Sequence, residues 1–494
     1  MLLIWLCTVY ASVMQAQNSF IKVIQSEIGV ATSFSGIKMQ DDTLILSGLT
    51  YACIDSQACY QGFYLVKMDT FGEILQEKVI YEEGDDIVAE NFPMLCQTED
   101  GGYFLTAEYF QKGNGLVAKV DADLNLEFIR EYMEDPQEIL SVRNRGIMRL
   151  HHDYYISSRK QHKNYHGYAH LMKIDSVGNL IWDKSYNTGD DAQVKCKVAI
   201  DGNIIMFGQR SKETDTGTIA MKQWYLKIDT AGIVIDEYES GWMVNQIAGY
   251  FDLLELEDGF MIATANFYYD SKQTPYPYYQ TVLQKLDPEF APLWTTTYGS
   301  LTPLNSIYQL SMSPEGNFVG TGVYLAENLQ QSAMTVLTLK FDEHGSILWE
   351  RQDSILYESN YGCRNTAGEM VILESGSMMT VGSLETFLPN HENFGFVEKL
   401  DKNGCIIPGC VLSDVEEPAQ RQEELFIYPN PATNWLHIDS KLTDLVISLK
   451  IYDPLGRVIH PEIHQDEINV SNWTDGVYLF VLNERFYQKV IIVH

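Results

Sequence analysis

Apolar and polar positions along this chain fall into short strand-length runs, with no sustained helical face. One run, apolar residues closing on an acidic one, recurs seven times: Leu65-Val66-Lys67-Met68-Asp69, Val117 to Asp121, Leu171 to Asp175, Tyr225 to Asp229, Leu283 to Asp287, Leu337 to Asp342 and Val397 to Asp401. Successive aspartates lie 52, 54, 54, 58, 55 and 59 residues apart. In five of the seven a glycine follows three positions later (Gly72, Gly178, Gly232, Gly345, Gly404), and the next strand begins near a tryptophan at Trp182, Trp294 and Trp349. The Asp-x-x-Gly step predicts a hairpin turn, in which the carboxylate bonds the downstream backbone and glycine takes a positive φ. A strand opening such as Asp42-Thr43-Leu44-Ile45 or Asp258-Gly259-Phe260-Met261 precedes each aspartate, with one further apolar stretch before it. Each unit therefore holds four strands.

Seven such units predict an all-β chain whose body, residues 17–410, is a seven-bladed β-propeller. A lone four-stranded sheet leaves both faces wet, whereas a ring gives every sheet two neighbours and no long free edge. The repeated aspartates are structural in this reading, since calcium at each turn would need more acidic residues clustered there. Phe20-Ile21-Lys22-Val23-Ile24 has the character of the outer strand Ile74 to Ile80, and no such strand follows Asp401. Residues 20–26 are therefore expected to complete the last blade and close the ring.

The pattern changes after an acidic linker, residues 411–424. Alternation in Trp435-Leu436-His437-Ile438 and Leu449-Lys450-Ile451-Tyr452, with turn chemistry at Asp453-Pro454-Leu455-Gly456 and Thr474-Asp475-Gly476, predicts a small β-sandwich over 425–494. Its landmarks are Tyr428-Pro429-Asn430-Pro431-Ala432-Thr433, Tyr452-Asp453 with Gly456-Arg457, Asp475-Gly476-Val477-Tyr478 and Lys489-Val490-Ile491. In that order they resemble the C-terminal sorting domain of the type IX secretion system, in its type A form. The resemblance implies that Pro429, Asn430, Pro431, Gly456, Gly476, Tyr478 and Lys489 carry a sorting signal. It also implies export across the outer membrane of a Gram-negative cell, with the secretion machinery as partner and the tail later removed or anchored. The family often ends on a basic residue, where this chain ends Val493-His494. The resemblance speaks to destination and leaves activity open.

The other end agrees with export. Leu2 to Val13 is apolar and Met14-Gln15-Ala16 ends it on a small residue, the pattern of a signal peptide over residues 1–16. No later segment has the apolar length of a membrane-spanning helix.

The chain carries 67 acidic and 34 basic residues, a net charge of −33, which argues against nucleic acid as a partner. With 45% hydrophobic residues it is no acidic disordered tract, so the charge belongs mainly to a solvated surface. Among eight cysteines, Cys53 with Cys59 and Cys405 with Cys410 have the spacing of local disulfides in an exported protein. Cys96, Cys196 and Cys363 stand among apolar neighbours as buried thiols. No cysteine or histidine spacing indicates a metal site, and no cofactor motif is present.

Two loops are candidates for function. Tyr268, Tyr269, Tyr276, Tyr278 and Tyr279 could form an aromatic platform for a glycan or peptide, or pack their rings on their own blade. His162, His166 and His170 would align on a helix as metal ligands, but they lie between predicted strands, and His170 belongs to a strand itself. No nucleophile elbow or Cys/His pair is recognisable. The expectation is a non-catalytic, secreted or surface-displayed binding protein on a propeller scaffold. The alternative is a glycan or peptide hydrolase using carboxylates at the channel mouth.

Overall fold

The computed structural model describes residues 19–26, 29–53, 59–89, 94–132, 138–163, 167–186, 191–213, 219–244, 248–268, 278–302, 304–325, 333–356, 363–386, 392–406, 427–438, 449–454, 457–460, 463–464, 467–482 and 486–494. Among these residues the structure is all β, as the strand-length runs require. The body is a succession of sheets, each with four main antiparallel strands from an inner to an outer one, and a short parallel pairing of Ala333 and Met334 with Cys363 and Arg364 joins the last two. The first comprises Gly29–Gln40, Thr43–Cys53, Cys59–Asp69 and Ile74–Ile80. The second has an interrupted inner strand, Ile87–Val88 and Leu95–Gln97, followed by Tyr103–Tyr109, Gly115–Val120 and Leu126–Tyr132. Ile139–Leu150, Asp191–Val198, Ala248–Leu256 and Leu304–Met312 are the inner strands of the third to sixth sheets, which end on Leu180–Tyr186, Val234–Glu239, Pro292–Thr302 and Ile347–Asp353.

The closing sheet contains Cys363–Ile372, Met378–Thr386 and Asn393–Leu400, and its outer strand comes from the far end of the chain. Phe20–Ile24 pairs antiparallel with Asn393–Leu400, Phe20 opposite Lys399 and Ile24 opposite Gly395. The strand missing after Asp401 is thus supplied by the N-terminal segment, as its outer-strand character predicted.

Every aspartate of the recurring turn performs the same local task. Asp69 Oδ1 accepts the backbone N–H groups of Phe71 and Glu73, each at 2.9 Å. Asp121, Asp175, Asp229, Asp287, Asp342 and Asp401 repeat this with the residues two and four positions on. Two backbone donors per turn are satisfied by one carboxylate, which is why an acidic residue ends the strand. The residue three positions on takes a positive φ in all seven turns, including the two without glycine, Leu124 (φ 59°) and Phe290 (φ 63°). Leu124 is buried in the apolar cluster between the first two sheets. Phe290 stacks on Phe260 with ring centroids 4.4 Å apart. At these two turns side-chain burial offsets the left-handed strain that glycine avoids elsewhere.

Glycine also serves packing between sheets. An aromatic ring from the preceding outer strand covers the turn at Gly72 (Phe20), Gly178 (Phe128), Gly232 (Trp182) and Gly345 (Trp294). Lys22 Nζ donates to the Gly72 carbonyl at 2.8 Å, and the Tyr132 and Tyr186 hydroxyls donate to those of Gly178 and Gly232. The aromatic residues that open the outer strands therefore couple each sheet to the next turn.

Sheet faces are covered in circular order. Ile45, Phe63 and Leu65 of the first sheet meet Leu95, Tyr103 and Leu105 of the second. Phe104 and Val117 then meet Tyr154 and Ile156, Leu171 meets Met206 and Leu226, and Phe207 meets Leu253 and Ile262. Met261 and Leu283 pack with Ile307 and Leu339, and Val319 and Trp349 with Met370 and Met378. Met379, Val381 and Val397 of the closing sheet return to Phe34, Leu46 and Val66 of the first. Alternate residues of one strand serve opposite neighbours, Leu44 and Leu46 on one side and Ile45 on the other, so buried strands are continuously apolar. This ring of sheets is a β-propeller fold.

The tail forms two small four-stranded sheets around Ile427, Leu436, Ile451, Ile468, Tyr478, Phe480, Val490 and Ile492. Cys53 and Cys59 are joined by a disulfide, while Cys96, Cys196 and Cys363 take part in none. Cys405 is also disulfide-bonded, and Cys410, its expected partner, lies outside the described residues with the 1–16 segment and the linker.

Three stability measurements follow from this packing. Gly202 and Gly232 share a φ near +80° (79° and 76°), but a Cβ at Gly202 meets nothing within 4 Å while one at Gly232 meets Trp182 at 2.9 Å. In urea titrations Gly202→Ala should cost about 1–2 kcal/mol and Gly232→Ala clearly more; equal costs would contradict the ring-on-glycine contact. Ile24→Ala, which empties a site between the closing and first sheets, should cost about 2–5 kcal/mol. Finally, burial and the neighbouring Asp353 charge push the Glu398 carboxyl up to about 8, against the pull of Arg351 and Lys489. A carboxyl raised in the folded state contributes stability below its unfolded pKa and loses it as pH climbs through the folded one. Wild-type stability should therefore fall between about pH 4.5 and 8, and Glu398→Gln should flatten that fall in pH-dependent melting curves.

Candidate functional site

The inner strands surround a cavity of about 950 Å³, within the range of small-ligand sites. Its lining is shaped by β-bulges. Pairing of inner with second strands slips between Phe34 and Gly36, Asn144 and Gly146, Ile307 and Gln309, and Ala367 and Met370. The residues left over at these slips are Ser35, Arg145, Tyr308, Gly368 and Glu369, and all of them line the cavity. A bulge adds a residue without a partner and bends the strand, so it redirects side chains that regular pairing would commit to a sheet face.

Near two of these bulges a buried asparagine fixes the strand to the preceding sheet. Asn144 Nδ2 donates to the Thr106 hydroxyl at 2.7 Å and to the Ala107 carbonyl at 2.8 Å. Asn365 Nδ2 donates to the Met334 carbonyl at 2.7 Å, and its Oδ1 accepts the Leu356 N–H. These amides hold the inner strands in register around the cavity.

The lining is cationic. Lys38, Arg143, Arg145, Arg159, Lys195 and Lys197 face it, against Asp252 and Glu369. Both carboxylates are engaged: Lys38 pairs with Glu369, which also accepts the Ile37 N–H at 3.0 Å. Lys197 pairs with Asp252 at 2.7 Å, and Asp252 accepts the Leu310 N–H at 2.9 Å. Burial pushes the Asp252 carboxyl up, but Lys197 and Lys195 outweigh it and hold the group below the usual carboxylate range. At the margin Arg159 binds Asp191 at 2.6 Å, and Arg143 lies 4.0 Å from Glu108. Counting those two acids as well, basic groups still outnumber acidic ones among the described residues.

Lys195 is half-buried in the lining. Burial holds its ammonium below the ordinary lysine range, with Asp252 opposing, and its Nζ donates to the Tyr308 carbonyl at 3.0 Å. Burial also pushes the Cys196 thiol up to about 12, so this cysteine presents no thiolate at neutral pH. The described lining thus offers ammonium and guanidinium donors, which suits holding an anion.

The residues singled out from the sequence lie elsewhere. Tyr268 stands opposite Tyr278, and Phe267 opposite Tyr279, at the end of the Gly259–Tyr268 and Tyr278–Leu286 hairpin. Tyr278 and Tyr279 are half-buried and do not line the cavity; Tyr269 and Tyr276 lie outside the described residues. His162 and His170 sit on neighbouring strands, Asp153–His162 and Gly167–Ile174, and His166 lies outside the described residues. His170 bonds Ser158 at 2.8 Å through Nδ1 and Asp183 at 3.2 Å through Nε2. That line resembles a proton relay, but Ser158 and His170 are both buried in their sheet and no substrate reaches the hydroxyl. Among the described residues no cluster of three His, Cys, Asp or Glu could hold a metal.

In the tail, Asn430 clamps the final strand: its Nδ2 donates to the Lys489 carbonyl at 2.9 Å and its Oδ1 accepts the Ile491 N–H at 2.7 Å. Pro429 and Pro431, flanking it, are exposed. Gly476 leaves room for Pro454, whose Cγ lies 2.5 Å from where a Cβ would stand. The Tyr478 hydroxyl donates to the Thr474 carbonyl at 2.9 Å. Gly456 lies outside the described residues.

Comparison with known proteins separates body from tail. No match was found among curated proteins. Among solved structures, the β-propeller domain of the Trilobed protease from Pyrococcus furiosus is 8% identical, with 78% of this chain and 100% of that chain covered at a TM-score of 0.40. A subtype N10 neuraminidase-like protein of A/little yellow-shouldered bat/Guatemala/060/2010 is 9% identical, with 76% and 96% covered at a TM-score of 0.36. Residues 426–493, by contrast, match the family model described as the secretion system C-terminal sorting domain. The tail is a type IX sorting domain, and it directs the chain to secretion or to the surface of a Gram-negative cell.

Proposed function

We propose that the chain is a secreted or surface-displayed binding protein whose central channel takes an anionic ligand. The body is read as seven blades closed by Phe20–Ile24, and the tail over 425–494 as a sandwich that delivers it. One observation supports the binding reading above others. A chain with a net charge of −33 gathers six of its 34 basic residues around one cavity. Guanidinium and ammonium donors converging on one cavity suit carboxylate, sulfate or phosphate groups. The surrounding negative surface would screen out large polyanions and admit a short anionic segment or end group.

A hydrolytic reading would draw on carboxylates at the channel mouth. Its two cavity-lining candidates, Asp252 and Glu369, are already bound by lysines, which favours binding over general acid and base work.

Calorimetric titration of the exported chain with uronate and sulfated oligosaccharides, and with neutral dextran oligosaccharides as control, tests this. Anionic ligands should bind and neutral ones should not, with affinity falling as salt rises. Arg143→Gln and Lys195→Gln should each weaken binding about tenfold, equivalent to about 1.4 kcal/mol. Replacing Tyr276, Tyr278 and Tyr279 by Ala should leave affinity unchanged; its loss would move the site to the tyrosine loop. New reducing ends on prolonged incubation would favour the hydrolase.

A further inference from the structure

The sorting domain rests on the seam where the ring closes, and one residue of its signal is taken up there. Ile491 is buried with Ile21 of the closing strand and with Val336, Ile355, Leu384 and Phe396, and Val477 packs against the same cluster. Beside this apolar contact, Lys489 Nζ bonds Asp353, the last residue of the sixth sheet's outer strand. Arg351 holds the same carboxylate from the other side, with Nη2 at 2.8 Å from Oδ1 and Nε on Oδ2. Glu398 of the closing sheet is fully buried next to them. The Asp353 side chain is 4% exposed and that of Lys489 19%, so the pair is shielded from water. Each contributor belongs to a different part of the chain: the first strand, the sixth sheet, the closing sheet and the tail.

We propose that the ring-closure seam is a docking surface for the chain's own sorting domain, with Lys489 seated on Asp353 and held there after the linker is cut. The occupant is fixed by charge and shape together. The Asp353 carboxylate takes the Arg351 guanidinium and, as its second cationic partner, Lys489. Ile491, on the same strand, faces Ile21 and Phe396, so the apolar and ionic contacts engage together. Because Ile21 lies on Phe20–Ile24, the surface is complete only when that strand has paired with Asn393–Leu400. Docking therefore reports ring closure to the end of the chain that carries the export signal. The machinery that reads Lys489 must first lift the domain from the seam.

The experiment uses the full chain with a site-specific protease sequence inserted between Gln420 and Arg421. After cleavage, gel filtration in physiological salt should show ring and tail eluting together. Lys489→Ala and Asp353→Asn should each raise the dissociation constant of the nicked complex at least tenfold. The two effects should not add in the double variant, since both remove one pair. Separate elution of the nicked wild-type chain overturns the proposal, as do additive effects. A second measurement needs no variant. Reductive methylation of the uncut chain, followed by mass spectrometry, should label Lys489 at least tenfold more slowly than the exposed Lys163. Equal labelling rates would show that the seam does not hold the tail.

Discussion

Everything in the body depends on covering both faces of each sheet, and the last cover is a five-residue strand from the other end of the chain. Sheets one to six are built from consecutive segments, each covered by its sequence neighbours. The closing sheet has only three strands of its own, and Phe20–Ile24 supplies the fourth. That strand brings Ile24 to the first sheet's core and Phe20 onto Gly72. Without it, an apolar face and a sheet edge would be open to water at the same place. The entropy of bringing together segments almost 400 residues apart grows only logarithmically with loop length, and apolar burial at the seam is set against it.

How much of this was legible in sequence depended on whether a feature is local. The aspartate turns could be read, because one carboxylate bonding the second and fourth N–H groups downstream is a property of five consecutive residues. Even the exceptions have a local cause: Leu124 and Phe290 accept left-handed backbone where their side chains can be buried. The closing strand was legible by subtraction, since one outer strand was missing and one was spare. The tryptophans were visible as markers, but their partners, glycines one sheet further on, lie about 50 residues away and have no signature of their own.

The cavity was not legible. Its lining comes from bulges, and a bulge depends on how a strand registers with its neighbour, which apolar patterning does not encode. Regular alternation would have committed Arg145, Tyr308 and Glu369 to sheet faces. Net charge misled in the same way. A total of −33 describes the solvated exterior and says nothing of the few square ångströms where cations converge. The aromatic loop drew attention because composition is conspicuous there, while the basic residues of the channel are spread over several strands from Lys38 to Lys197.

Charge has opposite uses at the two ends of the molecule. In the channel, basic side chains outnumber acidic ones among the described lining residues. At the seam a single carboxylate, Asp353, takes both Arg351 and Lys489, beside a Glu398 carboxyl whose raised pKa keeps it protonated at neutral pH. A buried pair of this kind adds little net stability compared with an apolar contact, because desolvation consumes most of the Coulomb gain. Its value lies in discrimination: removing one partner leaves an uncompensated charge, so the arrangement tolerates only the matching cation in that position. An apolar seam alone would accept many exposed hydrophobic strands during export. Placing Asp353 and Glu398 beside Ile21 restricts it to a strand that carries both an aliphatic and a lysine side chain at the spacing of Ile491 and Lys489.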